Sequence, residues 1–179
     1  MRKEKWILPA AAGAVVAAGV VYALWPKHEI PKGASVVKPF DMAKYAGNWN
    51  EIARLPIFIE KDITQLVERY IPNDDDTYHV ITRAYNSKKE KWMEMNGKLK
   101  VAEPGTGHLK VSYFGPVYFN YNILDIDDNY EHALASGSNH SALWLLSKEN
   151  KIPEDIINRF LQKATDYGFD VSKLIWNRL

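Results

Sequence analysis

Two carboxylates carry most of the chemistry this sequence offers. Glu51 stands two residues after Trp49 in Gly47-Asn48-Trp49-Asn50-Glu51-Ile52-Ala53-Arg54, so strand alternation puts Trp49, Glu51 and Ala53 on one face. Further on, Leu66, Glu68 and Tyr70 share a face by the same period. If both faces turn inward, each carboxylate needs a partner, or desolvation raises its pKa, because burial disfavours the charged form. Such an acid can anchor a polar head group or, through held water, govern ligand release. The competing structural reading has Glu51 bonded near a closed end and Glu68 outside, opposite a Lys or Arg.

Other chemistries find little support. The histidines fall at 28, 79, 108, 132 and 140, of which His79, His108 and His132 lie in strand-like runs. None pairs with carboxylates at helical spacing, so a zinc site is unsupported. The chain has no Cys, which excludes disulfides, thiolate metal sites and cysteine nucleophiles. There is no phosphate loop, no nucleophile elbow and no Ser-His-Asp arrangement. Asp74-Asp75-Asp76 reads as a solvated turn rather than a calcium loop. A net charge of +1 without a long basic run argues against nucleic acid as a partner. The pattern points to binding rather than catalysis, with no cofactor implied.

The elements that must position these side chains are strands. Period-two runs at 47–54, 64–71, 77–86, 90–101, 107–114, 117–126, 130–137 and 141–148 alternate with short turn clusters. Sequential hairpins make an all-β, up-and-down antiparallel sheet, and eight such strands can close into a barrel that holds a small ligand. Beyond Glu51, Ala53, Leu66, Glu68 and Tyr70, alternation sends Val80, Thr82, Met93 and Met95 inward. It does the same for Val111, Tyr113, Tyr121, Ile123, Ala135 and Trp144. Flexible methionines and aromatics with polar tips suit an adaptable lipid tunnel. The alternative is plain core packing. Pro153–Tyr167 places Ile156, Ile157, Phe160, Leu161 and Ala164 on one helical face, with Gly168 as the C-terminal stop. That helix should lie against the outside of the barrel, followed by a short strand at 171–177.

Gly47/Trp49 followed by Asn50-Glu51-Ile52-Ala53-Arg54 resembles the signature of the lipocalin family, within it the bacterial and apolipoprotein D-like group. Further matching runs are Val111-Ser112-Tyr113-Phe114-Gly115-Pro116, Leu143-Trp144-Leu145-Leu146-Ser147 and Tyr167-Gly168-Phe169-Asp170-Val171-Ser172-Lys173-Leu174-Ile175-Trp176. The resemblance covers residues 40–179. It implies a barrel floored by Trp49 and a cavity for a fatty acid, lysophospholipid or similar amphiphile, held for storage or transport. A lipid-modifying enzyme in the same cavity and a filled-barrel structural or stress protein are the alternatives. Lys148 stands where the family usually has an Arg lying across the tryptophan, which implies a looser floor because Lys lacks the planar fork. In lipocalins the loop after the first strand lies at the open mouth, and here it carries Ile57, Phe58 and Ile59 in a row. That run either caps the cavity or docks on a membrane or on a second copy of the chain.

Ahead of this domain, Trp6 to Trp25 is a 20-residue run without a charge after a basic start, long enough as a helix to cover about 30 Å. Residues 1–25 read as a signal-anchor holding the barrel on the periplasmic side of the inner membrane, or as a signal peptide cut after Ala23. The resemblance adds that such bacterial lipocalins are often acylated on a Cys, a route closed to a chain without one. Residues 26–39, with Pro26, Pro31, Pro39 and Gly33, read as an extended spacer.

Overall fold

The computed structural model describes residues 28–57 and 62–177. Gly47 opens strand β1 (Gly47–Arg54) with φ of +116°, a left-handed entry that a side chain would strain. Antiparallel strands follow in chain order: β2 (Ile63–Pro72), β3 (Thr77–Asn86), β4 (Lys91–Val101), β5 (His108–Phe114), β6 (Val117–Ile126), β7 (His132–Ser136) and β8 (Leu143–Ser147). Each pairs with its neighbours, and β1 pairs with both β2 and β8, so the sheet closes on itself. Closure leaves no free edge among these eight strands. The final segment differs from expectation. Instead of one strand over 171–177, a 3-10 turn (Val171–Lys173) precedes the two-residue strand β9 (Ile175–Trp176), which pairs with Ala53 and Arg54 of β1. The turn forms because Asp170 takes both the Ser172 hydroxyl and the Lys173 ammonium.

Helix α2 (Glu154–Asp166) lies outside the barrel and buries Phe160 and Ala164, with Ile156 and Ile157 beside them, against Leu124, Leu134, Leu143 and Leu145. The barrel's Asp125 fastens it further, accepting from Arg159 at 3.4 Å and Lys163 at 2.9 Å. A short helix α1 (Met42–Tyr45), absent from the sequence reading, is capped by the Asp41 carboxylate, which accepts from the Ala43 and Lys44 amides. It forms the floor: the Tyr45 ring stacks on Trp49 at 4.6 Å, and the Trp49 indole donates to the Tyr45 carbonyl at 2.7 Å.

Lys148 completes this floor rather than loosening it. Its ammonium stands 5.2 Å from the centre of the Trp49 ring and donates to the Lys44 carbonyl at 2.8 Å, so a point charge serves ring and helix end together. Trp49 and Tyr45 are fully buried. Residues 28–39 are likewise more than a spacer. The Val37 amide donates to the Ile123 carbonyl, the Gly107 amide to Val37, and Asn122 to the Glu29 carbonyl. These bonds lay the segment over β5 and β6, and Gly107 lets its own backbone come close to β6, since a Cβ there would stand 2.8 Å from the Ile123 carbonyl oxygen. The expectations for residues 1–25 lie outside the described residues.

Candidate functional site

Above the floor the barrel is hollow. A cavity of about 550 Å³ is walled by inward side chains of β1–β6 and β8 and by Gly137–Ala142, and it opens between the loops at the end opposite Trp49. That is the size range of pockets for small ligands. Of the expected positions, Glu51, Leu66, Glu68, Thr82, Met93, Met95, Val111, Tyr113, Tyr121 and Trp144 line it, as does Ile57 at the mouth. Phe58 and Ile59 lie outside the described residues.

Five expected positions do not line the cavity. Tyr70, Val80, Ile123 and Ala135 do face inward, but at the level where the floor is solidly packed with Trp49, Tyr45, Leu99 and Leu109. Ala53 points the other way. A bulge between Glu51 and Ala53 breaks the alternation, and both Ile52 and Ala53 join the outer core beneath α2. Conversely, Ile63, Ala84, Phe114 and Phe119 line the cavity without having been singled out. Ala84 continues the Val80–Thr82 alternation and could have been read from it.

At the base of the cavity sits a polar cluster around Glu68. Its carboxylate accepts from the Tyr113 hydroxyl at 2.9 Å, from Thr82 at 3.2 Å and from the Tyr70 hydroxyl. Tyr45 and Tyr121 join hydroxyls at 2.9 Å just below. Burial pushes the Tyr70, Tyr121 and Tyr45 phenols well above the ordinary tyrosine range, so they stay protonated and act as donors. Glu68 is thus inside, held by hydroxyls rather than by a cation. The Tyr113 ring reaches it by lying across Gly97, where a Cβ would approach the ring carbons to 2.8 Å.

Glu51 is bonded, but to a partner the sequence reading passed over. Arg54, only 2% exposed, donates from Nη1 to Glu51 Oε1 at 2.8 Å and from Nη2 to the Ile63 carbonyl at 2.8 Å. Asn177 donates to the same Glu51 oxygen at 2.7 Å and to the Glu51 carbonyl at 3.0 Å. Burial pushes the Glu51 carboxyl up, while Arg54 and Asn177 pull it down. Arg54 three residues after Glu51 looks like an outward neighbour under strict alternation; the bulge is what brings it back. Among the described residues no three His, Asp or Glu side chains group as a metal site, and Asp75 is engaged with Lys98 and Thr77. His79 and His132 are bonded to Asn96 and Ser147.

These features define a class: an eight-stranded barrel plugged by a tryptophan at one end, hollow at the other, with one helix laid outside. The Lipocalin-like domain profile matches residues 40–178, and the chain belongs to the lipocalin family, in its bacterial group. Outer membrane lipoprotein Blc of Citrobacter freundii is 39% identical over 171 residues, spanning 95% of this chain and 96% of its own. The protein of that name from Escherichia coli K12 is 38% identical over the same length and the same shares. Among solved structures, insecticyanin of the tobacco hornworm Manduca sexta superposes with a TM-score of 0.71 at 21% identity, over 85% of this chain and 87% of its own.

Proposed function

We propose that the barrel binds a fatty acid, lysophospholipid or similar amphiphile, one molecule per chain, for storage or transport in the cell envelope. The observation that carries this is the cavity of about 550 Å³, walled by Met93, Met95, Leu66, Val111 and Trp144 and left empty by the packing. Methionine walls adapt to chains of varied shape. Glu68, with Thr82 and Tyr113, supplies a polar anchor at depth. Its negative charge disfavours a second carboxylate beside it, so an acid would enter tail first with its head at the mouth. A donor-bearing head could reach Glu68 itself.

The relatives' names place those proteins at the outer membrane and support an envelope location. They give no support to the inner-membrane preference drawn from the charge asymmetry. Since this chain has no Cys, we assign attachment to the uncharged run from Trp6 to Trp25. Native mass spectrometry of the full chain after mild extraction tests the proposal. A single lipid-sized adduct per chain is expected, removed by organic solvent and restored by added lysophospholipid. A barrel that stays bare after incubation with excess lipid overturns it, and turnover of that lipid would make the cavity an enzyme's.

A further inference from the structure

Among the described residues, the exposed large hydrophobic side chains are Trp92, Phe114, Val117, Phe119, Ile175 and Trp176. All lie at the cavity's open end. Trp92 follows the β3–β4 turn, Phe114 and Val117 flank the β5–β6 turn, and Phe119 is close behind. Ile175 and Trp176 pair with Arg54 and Ala53 at the mouth end of β1. Scattered exposed hydrophobics need no explanation, but a one-ended ring does. Phe114 and Phe119 also line the cavity, so the ring is continuous with its wall.

Charge is divided between the same two ends. The β3–β4 turn at the mouth carries Lys88, Lys89 and Lys91 against one Glu90, with Asp62 beside it. Arg83 lies 5.3 Å over the Trp92 ring. The floor turns carry Asp74, Asp75 and Asp76 and then Asp127, Asp128 and Glu131. Against these stand Lys98, paired with Asp75, Lys44 of the floor helix and Lys148 over Trp49, so that end stays acidic on balance. Indoles beside cations are what the headgroup layer of a bilayer receives, the ring among the glycerols and the ammonium near phosphate.

From this polarity we infer that the mouth rim is a docking surface for an anionic lipid bilayer, laying the cavity's opening on the headgroups so that ligand passes without crossing water. A second copy is the poorer occupant. In a two-fold dimer the lysine turn would meet a partner rim that offers few acids, with Asp62 and Glu90 already beside the same lysines, whereas anionic headgroups neutralise it over the whole face. The passage of ligand rests on the lipid binding proposed above, whereas the docking itself is read from rim residues and is tested without ligand.

Because the chain has no Cys, single labels can be placed in the full chain. Val117→Cys at the rim and Asp74→Cys at the floor, each carrying an environment-sensitive fluorophore, are compared in vesicles of phosphatidylglycerol and phosphatidylethanolamine bearing a lipid-attached quencher. The rim label is expected to shift to the blue and be quenched, and the floor label to stay in water. Lys88→Glu with Lys89→Glu should lower the docked-to-undocked ratio by at least about tenfold, as should phosphatidylcholine vesicles. Trp92→Ser with Phe119→Ser should do the same in a chain whose circular dichroism is unchanged. Equal quenching at both labels, or a rim signal indifferent to the lysine reversals, overturns the inference. So does label-to-label proximity at 117 that grows with protein concentration, which would make the rim a dimer face.

Discussion

Glu51 is held from two directions in the sequence, by Arg54 three residues on and by Asn177 far downstream. Its burial raises the folded-state pKa above the ordinary 4.5. A raised carboxyl binds its proton more tightly in the folded state. Its contribution to stability is therefore present below that ordinary value and is lost as pH rises through the folded one. Arg54 limits this loss, so Arg54→Met should cost about 3–5 kcal/mol near neutral pH, because it leaves a buried charge without its cation. Two measurements check the assignment. In urea melts the loss should shrink at acid pH, and Glu51→Gln added to Arg54→Met should restore much of it. A pH-independent loss that the second substitution does not relieve would mean that Arg54 acts through packing alone.

Among the elements, β4 and β5 set the cavity's polar anchor. Gly97 is the reason Tyr113 can reach Glu68, since a methyl group there would meet the Ser112 carbonyl oxygen and the Tyr113 ring, each at 2.8 Å. Gly97→Ala should therefore swing Tyr113 off Glu68 and weaken ligand binding while the strand pairing persists. Displacement of a fluorescent lipid, compared between this variant and Tyr113→Phe, reads the effect. If Gly97→Ala binds as the parent does, Tyr113 does not depend on that gap. The strands themselves were legible because alternation and turn clusters agree, and observed boundaries differ from the expected ones by at most two residues. What alternation supplies is a face, not a height. It sent Val80 and Thr82 inward alike, but Thr82 faces empty space and Val80 is packed into the floor. Nor does it register a bulge, and the one after Glu51 moved Ala53 out and hid the role of Arg54.

Taken whole, the molecule has a solid end and a hollow end, and substitutions should divide accordingly. Trp49→Ala removes a fully buried ring from the solid end and should cost about 3–5 kcal/mol in denaturant melts, with ligand affinity nearly kept in the folded fraction. Met95→Arg puts a cation on the wall of the hollow end. There it should abolish binding of an apolar tail while costing less stability than the floor variant, because a cavity wall can still be wetted. Paired melts and lipid titrations of the two variants test the division. The reverse outcome, a stable Trp49→Ala that cannot bind beside an unstable Met95→Arg that can, would exchange the roles of the two ends.

The Asn177 amide has a consequence for biosynthesis. Its bonds to Glu51 span 126 positions in the chain. A ribosome delivers Glu51 long before it delivers Asn177. A nascent barrel, or one threading through a translocation pore N-terminus first, thus holds a first strand whose acid still lacks one of its two donors. The interior becomes electrostatically complete only when the last strand emerges and lies down beside the first. The barrel itself closes earlier, when β8 pairs with β1, so Glu51 waits for its second donor inside a wall that is already complete.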